Sequence, residues 1–172
     1  MAILMMRYMV LYFINTGTEA EPVWSPMNKG FTKLDESPNP QVESKTYIGE
    51  KTASPSIKNY EPSFPFEADL WNGEAGVMAL YQIARDRKVG SEAIVDIVAT
   101  DFTVSAEGQP VAAPSARRMK MAVEVSDMVT GEGGELLSMS GNLNQVGDAE
   151  EGYFTLATKT WSTTAPSGNG GN

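Results

Sequence analysis

The stretch Met119-Lys120-Met121-Ala122-Val123-Glu124-Val125-Ser126 decides how this chain folds: its apolar residues fall on alternate positions, with Lys120, Glu124 and Ser126 between them. Successive side chains of a strand point to opposite faces, so this period of two fits a strand with one buried side and one wetted side. Just downstream, Thr130-Gly131-Glu132-Gly133-Gly134 supplies residues that tolerate positive φ. Met119–Met128 and Glu135–Leu143 are therefore predicted to pair as an antiparallel hairpin.

Working outward, Ala93, Val95, Ile97 and Ala99 form a second row with the same period. Gly147 and Asp148 are expected to make the next turn. A last strand should follow, with Phe154 and Leu156 facing one way and Tyr153, Ala157 and Trp161 the other. Between Ile57 and Leu70, the residues Tyr60, Phe64, Phe66, Ala68 and Leu70 alternate as in a half-buried strand, and Pro62 and Pro65 push it to a sheet edge. The apolar run from Met1 to Ile14 is too short to span a bilayer and is interrupted by Arg7, so it is read as a buried strand rather than a signal peptide.

One segment has a different period. Val77, Leu80, Tyr81 and Ala84 recur at helical spacing, Arg85, Arg87 and Lys88 suit the negative end of a helix dipole, and Gly90 ends the pattern. This predicts one short amphipathic helix at about 74–88. From Thr16 to Pro55, Pro22, Pro26, Pro38 and Pro40 forbid a helix, so residues of about 16–55 are expected to form an extended arm outside the core. The expected architecture is mainly β: an antiparallel β-sandwich or barrel flanked by one short α-helix, in a single domain over 1–164, with a flexible Gly/Ser/Asn tail at 165–172.

Composition narrows the chemistry. The 172 residues include no cysteine and no histidine, which removes thiolate nucleophiles, zinc sites of the usual kind and the commonest general base. A serine nucleophile would need a lysine as its base, and nothing singles out such a pair. Asp35 with Glu36, and Asp148 with Glu150 and Glu151, sit in polar turns without an apolar pocket to raise a carboxyl pKa, so they read as solvated turn charges. The glycines at 131, 133 and 134 lack the Gly-Lys-Ser/Thr of a phosphate loop. The expectation is a protein that is not an enzyme and has no cofactor and no metal.

Thirteen basic and 22 acidic residues leave a net charge of −9, which argues against gripping nucleic acid through its phosphates. The densest basic spot outside the helix end, Arg117, Arg118 and Lys120, reads as the solvent face of a strand or a salt-bridge partner for a neighbouring subunit. Trp24, Trp71 and Trp161 lie in three separate regions, which weakens the case for an aromatic sugar-binding platform.

The order of an apolar first strand, a charged excursion, a Tyr/Phe strand, one helix and a run of glycine-linked strands resembles the tail tube protein, or major tail protein, of tailed bacteriophages. The resemblance spans most of the chain. It is carried by Trp24-Ser25-Pro26-Met27, Gly30-Phe31-Thr32-Lys33-Leu34-Asp35, Ile57-Lys58-Asn59-Tyr60, Phe64-Pro65-Phe66, Ser140-Gly141-Asn142-Leu143, Gly147-Asp148 and Gly152-Tyr153-Phe154.

What the resemblance implies is a virion tail subunit, held in the host cytoplasm before assembly. Six copies would close into a ring, rings would stack into a hollow tube, and DNA would pass through without specific binding. Further partners would be tape measure, terminator and tip proteins, with no membrane involved. On this reading Trp24, Phe31, Leu34, Asp35, Glu36, Tyr47 and Ile48 contact a neighbouring subunit or ring, and Glu67, Asp69 and Glu124 face the lumen. Two alternatives stay open: an inner tube subunit of a contractile tail or bacteriocin-like particle, and a carbohydrate-binding or adhesin-like β-sandwich.

Overall fold

The computed structural model describes residues 3–167. In chain order the elements are β1 (Tyr12–Asn15), β2 (Trp24–Pro26), β3 (Phe31–Leu34), β4 (Pro40–Lys45), β5 (Ser54–Tyr60), β6 (Ser63–Asp69), α1 (Ala75–Arg85), β7 (Ile94–Thr100), β8 (Ser115–Thr130), β9 (Ser138–Thr155) and β10 (Thr160–Ser162). The architecture is mainly β with one helix, as expected, and its main sheet is antiparallel and curls into a half-barrel.

That sheet runs β2-β1-β7-β8-β9-β6-β3, with β10 added to β9. The predicted hairpin is its backbone. Both strands are longer than expected, and Val123 pairs with Leu143 and Val125 with Gly141 in the register between them. On one face, Tyr12, Ile14, Phe64, Phe66, Ile97, Met119, Met121, Met139 and Leu143 are buried against Val77 and Leu80 of α1. The helix forms where the pattern places it, because Gly76, Val77, Leu80 and Ile83 give it one buried stripe.

The opposite, open face of the sheet carries a smaller core of Phe13, Trp24, Val98, Ala116 and Phe154. Phe13 stacks on Phe154 with ring centroids 4.3 Å apart, and Trp24 meets Phe154 edge-on at 6.2 Å. Trp161 packs against this same cluster, so it shares a side with Phe154 rather than opposing it. Gly152 makes room for it: a Cβ there would lie 2.7 Å from the indole ring and 2.6 Å from the Ser162 carbonyl oxygen.

Several expectations are corrected. The excursion does not run from 16 to 55, because β2 and β3 lie within it and belong to the main sheet, where Trp24, Met27 and Leu34 are each 4% exposed. The true excursion is the β4–β5 hairpin, a separate two-stranded sheet. The single strand expected over 57–70 is two strands, because Glu61 and Pro62 break the ladder between the excursion and β6. The N-terminal strand begins only at Tyr12: Arg7–Met9 form a turn of 3-10 helix, and Leu4 and Tyr8 are exposed.

Gly147 and Asp148 do not end a strand either. Arg118 pairs with Glu150 and Lys120 with Val146, so residues 147–149 bulge out opposite Met119 while β9 continues. Gly147 takes the positive φ of +74° that the bulge requires. Of the tail expected at 165–172, residues 168–172 lie outside the described residues.

Candidate assembly interface

Three surfaces remain without a partner among the described residues. The first is the β4–β5 arm, in which every residue of both strands is exposed. Its ladder pairs Pro40 with Tyr60, Val42 with Ile57 and Ser44 with Pro55, which sets these residues on one face. Gln41 with Asn59, Glu43 with Ser56 and Lys45 with Ser54 fall on the other. The arm therefore has one apolar and one polar side, and at its tip Tyr47 and Ile48 point into solvent. A two-stranded ribbon is marginal in water by itself, and an amphipathic one has a face to bury.

The base of the arm is clamped. Asn39 donates from its side-chain amide to the Glu61 carbonyl at 3.2 Å and to the Ser63 hydroxyl at 2.9 Å. Just before it, Glu36 accepts two hydrogen bonds from Arg117 at 2.8 and 2.9 Å. That bidentate contact raises the pKa of the Arg117 guanidinium above its ordinary value. Nearby, burial and the negative charge of Glu36 together raise the Tyr12 phenol above the usual tyrosine range.

The second surface is the seam of the half-barrel. β2 and β3 are the two borders of the sheet; they are not paired with each other, though only residues 27–30 separate them in the chain. An open cleft of about 800 Å³ lies at this seam, walled by Val10, Leu11, Met27, Phe31, Leu34 and Leu156. Arg7, Lys33, Asp35 and Lys159 supply its charges. Arg7 is fixed there by donating to the Leu34 carbonyl at 3.1 Å, with its guanidinium 5.1 Å from the Tyr12 ring centre.

The third surface is the open face of β8, β9 and β6. The register brings Glu124 beside Asn142, which in turn faces Pro65, and sets Ser140 between Asp127 and Glu67 and Ser138 beside Asp69. Glu67, Asp69 and Glu124 thus share one polar face, although they are far apart in sequence. Asn144 donates to Glu124 at 3.0 Å, and Lys33 approaches Glu67 at 4.0 Å.

These positions sort the residues expected to contact a neighbour. Tyr47 and Ile48 are placed at the arm tip, free to reach another molecule. Asp35 is exposed and lines the cleft, and Phe31 lies half-buried along its wall. Trp24 and Leu34 are buried within their own chain. Glu36 is exposed, and its carboxylate is engaged by Arg117.

The basic spot, read as the solvent face of a strand or a bridge to a neighbouring subunit, has acidic partners within the chain. Arg117 pairs with Glu36, Arg118 with Asp96 at 2.5 Å and Lys120 with Glu19 at 3.3 Å. Trp24 is buried, Trp161 is half-buried, and Trp71 lies under the Lys29 ammonium at 4.7 Å, so the indoles make no shared exposed platform. The seam cleft escaped the sequence reading altogether, because residues within 7–13, 26–35 and 156–159 form it jointly and no local pattern links them.

No protein-family model matches the chain, and no curated protein matches it in sequence. Among solved structures, it is similar to a chain of the six-fold-symmetrised cryo-EM structure of the anti-feeding prophage (AFP) baseplate, at 12% identity and a TM-score of 0.52, over 88% of this chain and 97% of that one. The likeness is one of fold, over most of both chains.

Proposed function

We propose that this chain is a non-enzymatic structural subunit of a phage-tail-like particle, in which copies join into six-membered rings that stack into a hollow tube. The observation that carries this reading is the β4–β5 arm, an exposed ribbon with Pro40, Val42, Ile57 and Tyr60 on one face and no cover among the described residues. A neighbouring copy that covered this face would give a marginal two-stranded element the burial it lacks. The sheet borders β2 and β3 give a second reason to assemble, because unpaired borders invite pairing with another chain. Similarity to an anti-feeding prophage baseplate chain adds support from fold.

In such a tube the face bearing Glu67, Asp69 and Glu124 lines the lumen. Carboxylates there repel the phosphate backbone, so DNA passes without being held. The partners are further copies of this chain and the other tail proteins at either end of the tube, and the place of action is the assembled particle.

A second reading is favoured by the identity of the structural neighbour. A baseplate chain points to a subunit at the end of the tube, as in a bacteriocin-like particle, rather than to the repeating shaft. Electron microscopy of the purified protein across a concentration series separates the two. Long hollow filaments support the shaft, single closed rings support the tube end, and persistent monomers overturn both.

A further inference from the structure

Between β6 and β10 the main sheet has a gap. β6 pairs with β9 as far as Asn144, and β10 takes up the same side of β9 only at Tyr153. The stretch between them, with its bulge at 147–149, has no strand neighbour on that side among the described residues. The arm leaves the sheet at this point, and a polar groove of about 640 Å³ lies between the two. Asn39, Gln41, Tyr60 and Glu61 of the arm base form one wall, and Asn144, Gln145 and Asp148 of β9 form the other.

The groove is rich in acceptors and poor in donors. Each amide nitrogen already donates inside the chain: that of Asn39 to Glu61 and Ser63, and that of Asn144 to Glu124. Gln41 donates to the Asn39 carbonyl and the Glu61 carboxylate, both at 3.4 Å, and Gln145 donates to the Gly147 carbonyl at 2.9 Å. The side-chain oxygens of these four amides accept no hydrogen bond among the described residues. Glu61 and Asp148 add a carboxylate to each wall, and no lysine or arginine lines the groove.

Such a lining repels phosphates and carboxylates and attracts a cation that carries N–H donors. A calcium ion would need six to eight oxygens within about 2.6 Å of one point. No three acidic side chains converge in that way among the described residues. An elongated cation with a donor at each end matches one carboxylate on each wall. Tyr60, 55% exposed, offers its ring face to an ammonium group.

We propose that this groove binds an aliphatic diamine or polyamine, with one ammonium group held by Glu61 and Tyr60 and another by Asp148. The amide oxygens accept the remaining N–H bonds. Because one wall belongs to the arm and the other to the sheet, the bound amine ties them together and fixes the arm against β9. The groove lies within one copy, so this inference stands apart from the assembly reading.

Calorimetric titration of the full-length protein at low salt tests it, with 1,4-diaminobutane and spermidine as probes. Both amines are expected to bind, whereas 1,4-butanediol, the uncharged counterpart of the first, and calcium chloride are not. E61Q/D148N is expected to weaken amine binding about tenfold, and Tyr60→Leu about threefold. E132Q/E135Q removes the same charge at the β8–β9 turn and should bind like the unchanged chain. All these side chains are exposed, and circular dichroism checks that each variant folds. Either amine should slow chymotrypsin cleavage after Tyr47 in the unchanged chain and not in E61Q/D148N.

Equal losses in E132Q/E135Q and E61Q/D148N would mean diffuse attraction to an acidic chain and overturn the site. Binding of the diol or of calcium as tight as that of the diamine also overturns it. Self-association that E61Q/D148N abolishes, without amine binding by the unchanged chain, would assign the groove to a lysine of another copy instead. Cleavage indifferent to bound amine removes the tie between arm and sheet.

Discussion

Arg117 holds Glu36 through two hydrogen bonds of 2.8 and 2.9 Å, tying the start of β8 to the segment from which the arm departs. Both side chains are about one-third exposed, so the pair adds only modestly to global stability. Lysine keeps the charge but lacks the planar fork. Arg117→Lys is expected to cost about 1 kcal/mol in chemical denaturation and to speed proteolytic cleavage between 46 and 53. Unchanged cleavage kinetics would show that the arm is held by Asn39 alone.

The arm tip and the helix should respond in opposite ways to substitution. Leu80 is fully buried, so Leu80→Ala is expected to destabilise the monomer by about 2–5 kcal/mol, read from denaturant midpoints. Ile48 touches nothing in its own chain, so Ile48→Ser should leave that midpoint within about 0.5 kcal/mol. In a sedimentation assay the same Ile48→Ser protein should assemble less readily than the unchanged chain.

Gly152→Ala tests the open-face cluster. The added methyl would meet the Trp161 ring and the Ser162 carbonyl at once, forcing β10 away from β9. A loss of about 1–3 kcal/mol is expected, with a red shift of tryptophan fluorescence as Trp161 gains water. An unshifted spectrum would mean that the strand absorbs the methyl without moving.

Alkaline pH should weaken the fold through Tyr12. Its phenol is held protonated beyond the ordinary tyrosine range by burial and by Glu36, while in the unfolded chain it ionises near the ordinary 10.0. The folded state therefore binds the proton more tightly. This contribution is complete below about pH 10 and is lost as pH rises through the folded pKa. Ultraviolet titration should show a late tyrosine that is missing from Tyr12→Phe, and that variant should unfold less steeply with rising pH.

The shared acidic face makes a prediction for the assembled state. Replacing Glu67, Asp69 and Glu124 with lysine touches exposed or half-exposed positions and should leave the fold intact. If the face lines a lumen, tubes of this variant should retain DNA at low salt and release it as salt rises, and tubes of the unchanged chain should not. Equal retention by both would place the face outside the channel.

The parts of this fold legible in sequence are those whose pattern is local. The rows through Met119 and Ile97 run long enough for a period of two to stand out, and Val77 to Ala84 cover enough turns to display a stripe. β2 and β3 have three and four residues, and Pro26 lies in one of them; Trp24 pairs with Asn15 across the loop of residues 16–23, and Phe31 pairs with the distant Ala68. Only tertiary pairing makes strands of such fragments. The same gap misplaced the arm, because prolines at 22, 26, 38 and 40 look alike in sequence, whether they flank a core strand or an exposed ribbon.

Among the residues expected at a contact, the exposure of Tyr47 and Ile48 was readable because an apolar pair within a polar excursion has nothing local to cover it. The burial of Trp24 and Leu34 was not, since exposure depends on β1 and β6, which flank them. The common face of Glu67, Asp69 and Glu124 followed from strand alternation once the register was known.

Because residues 27–30 bridge the two rims of the open sheet, its radius of curvature is fixed by covalent bonds rather than left to a balance of weak forces. Every copy leaves the ribosome cut to the same gauge. Moving the chain termini to position 29 by circular permutation would cut that tie, and small-angle X-ray scattering should then record a broader, more variable particle.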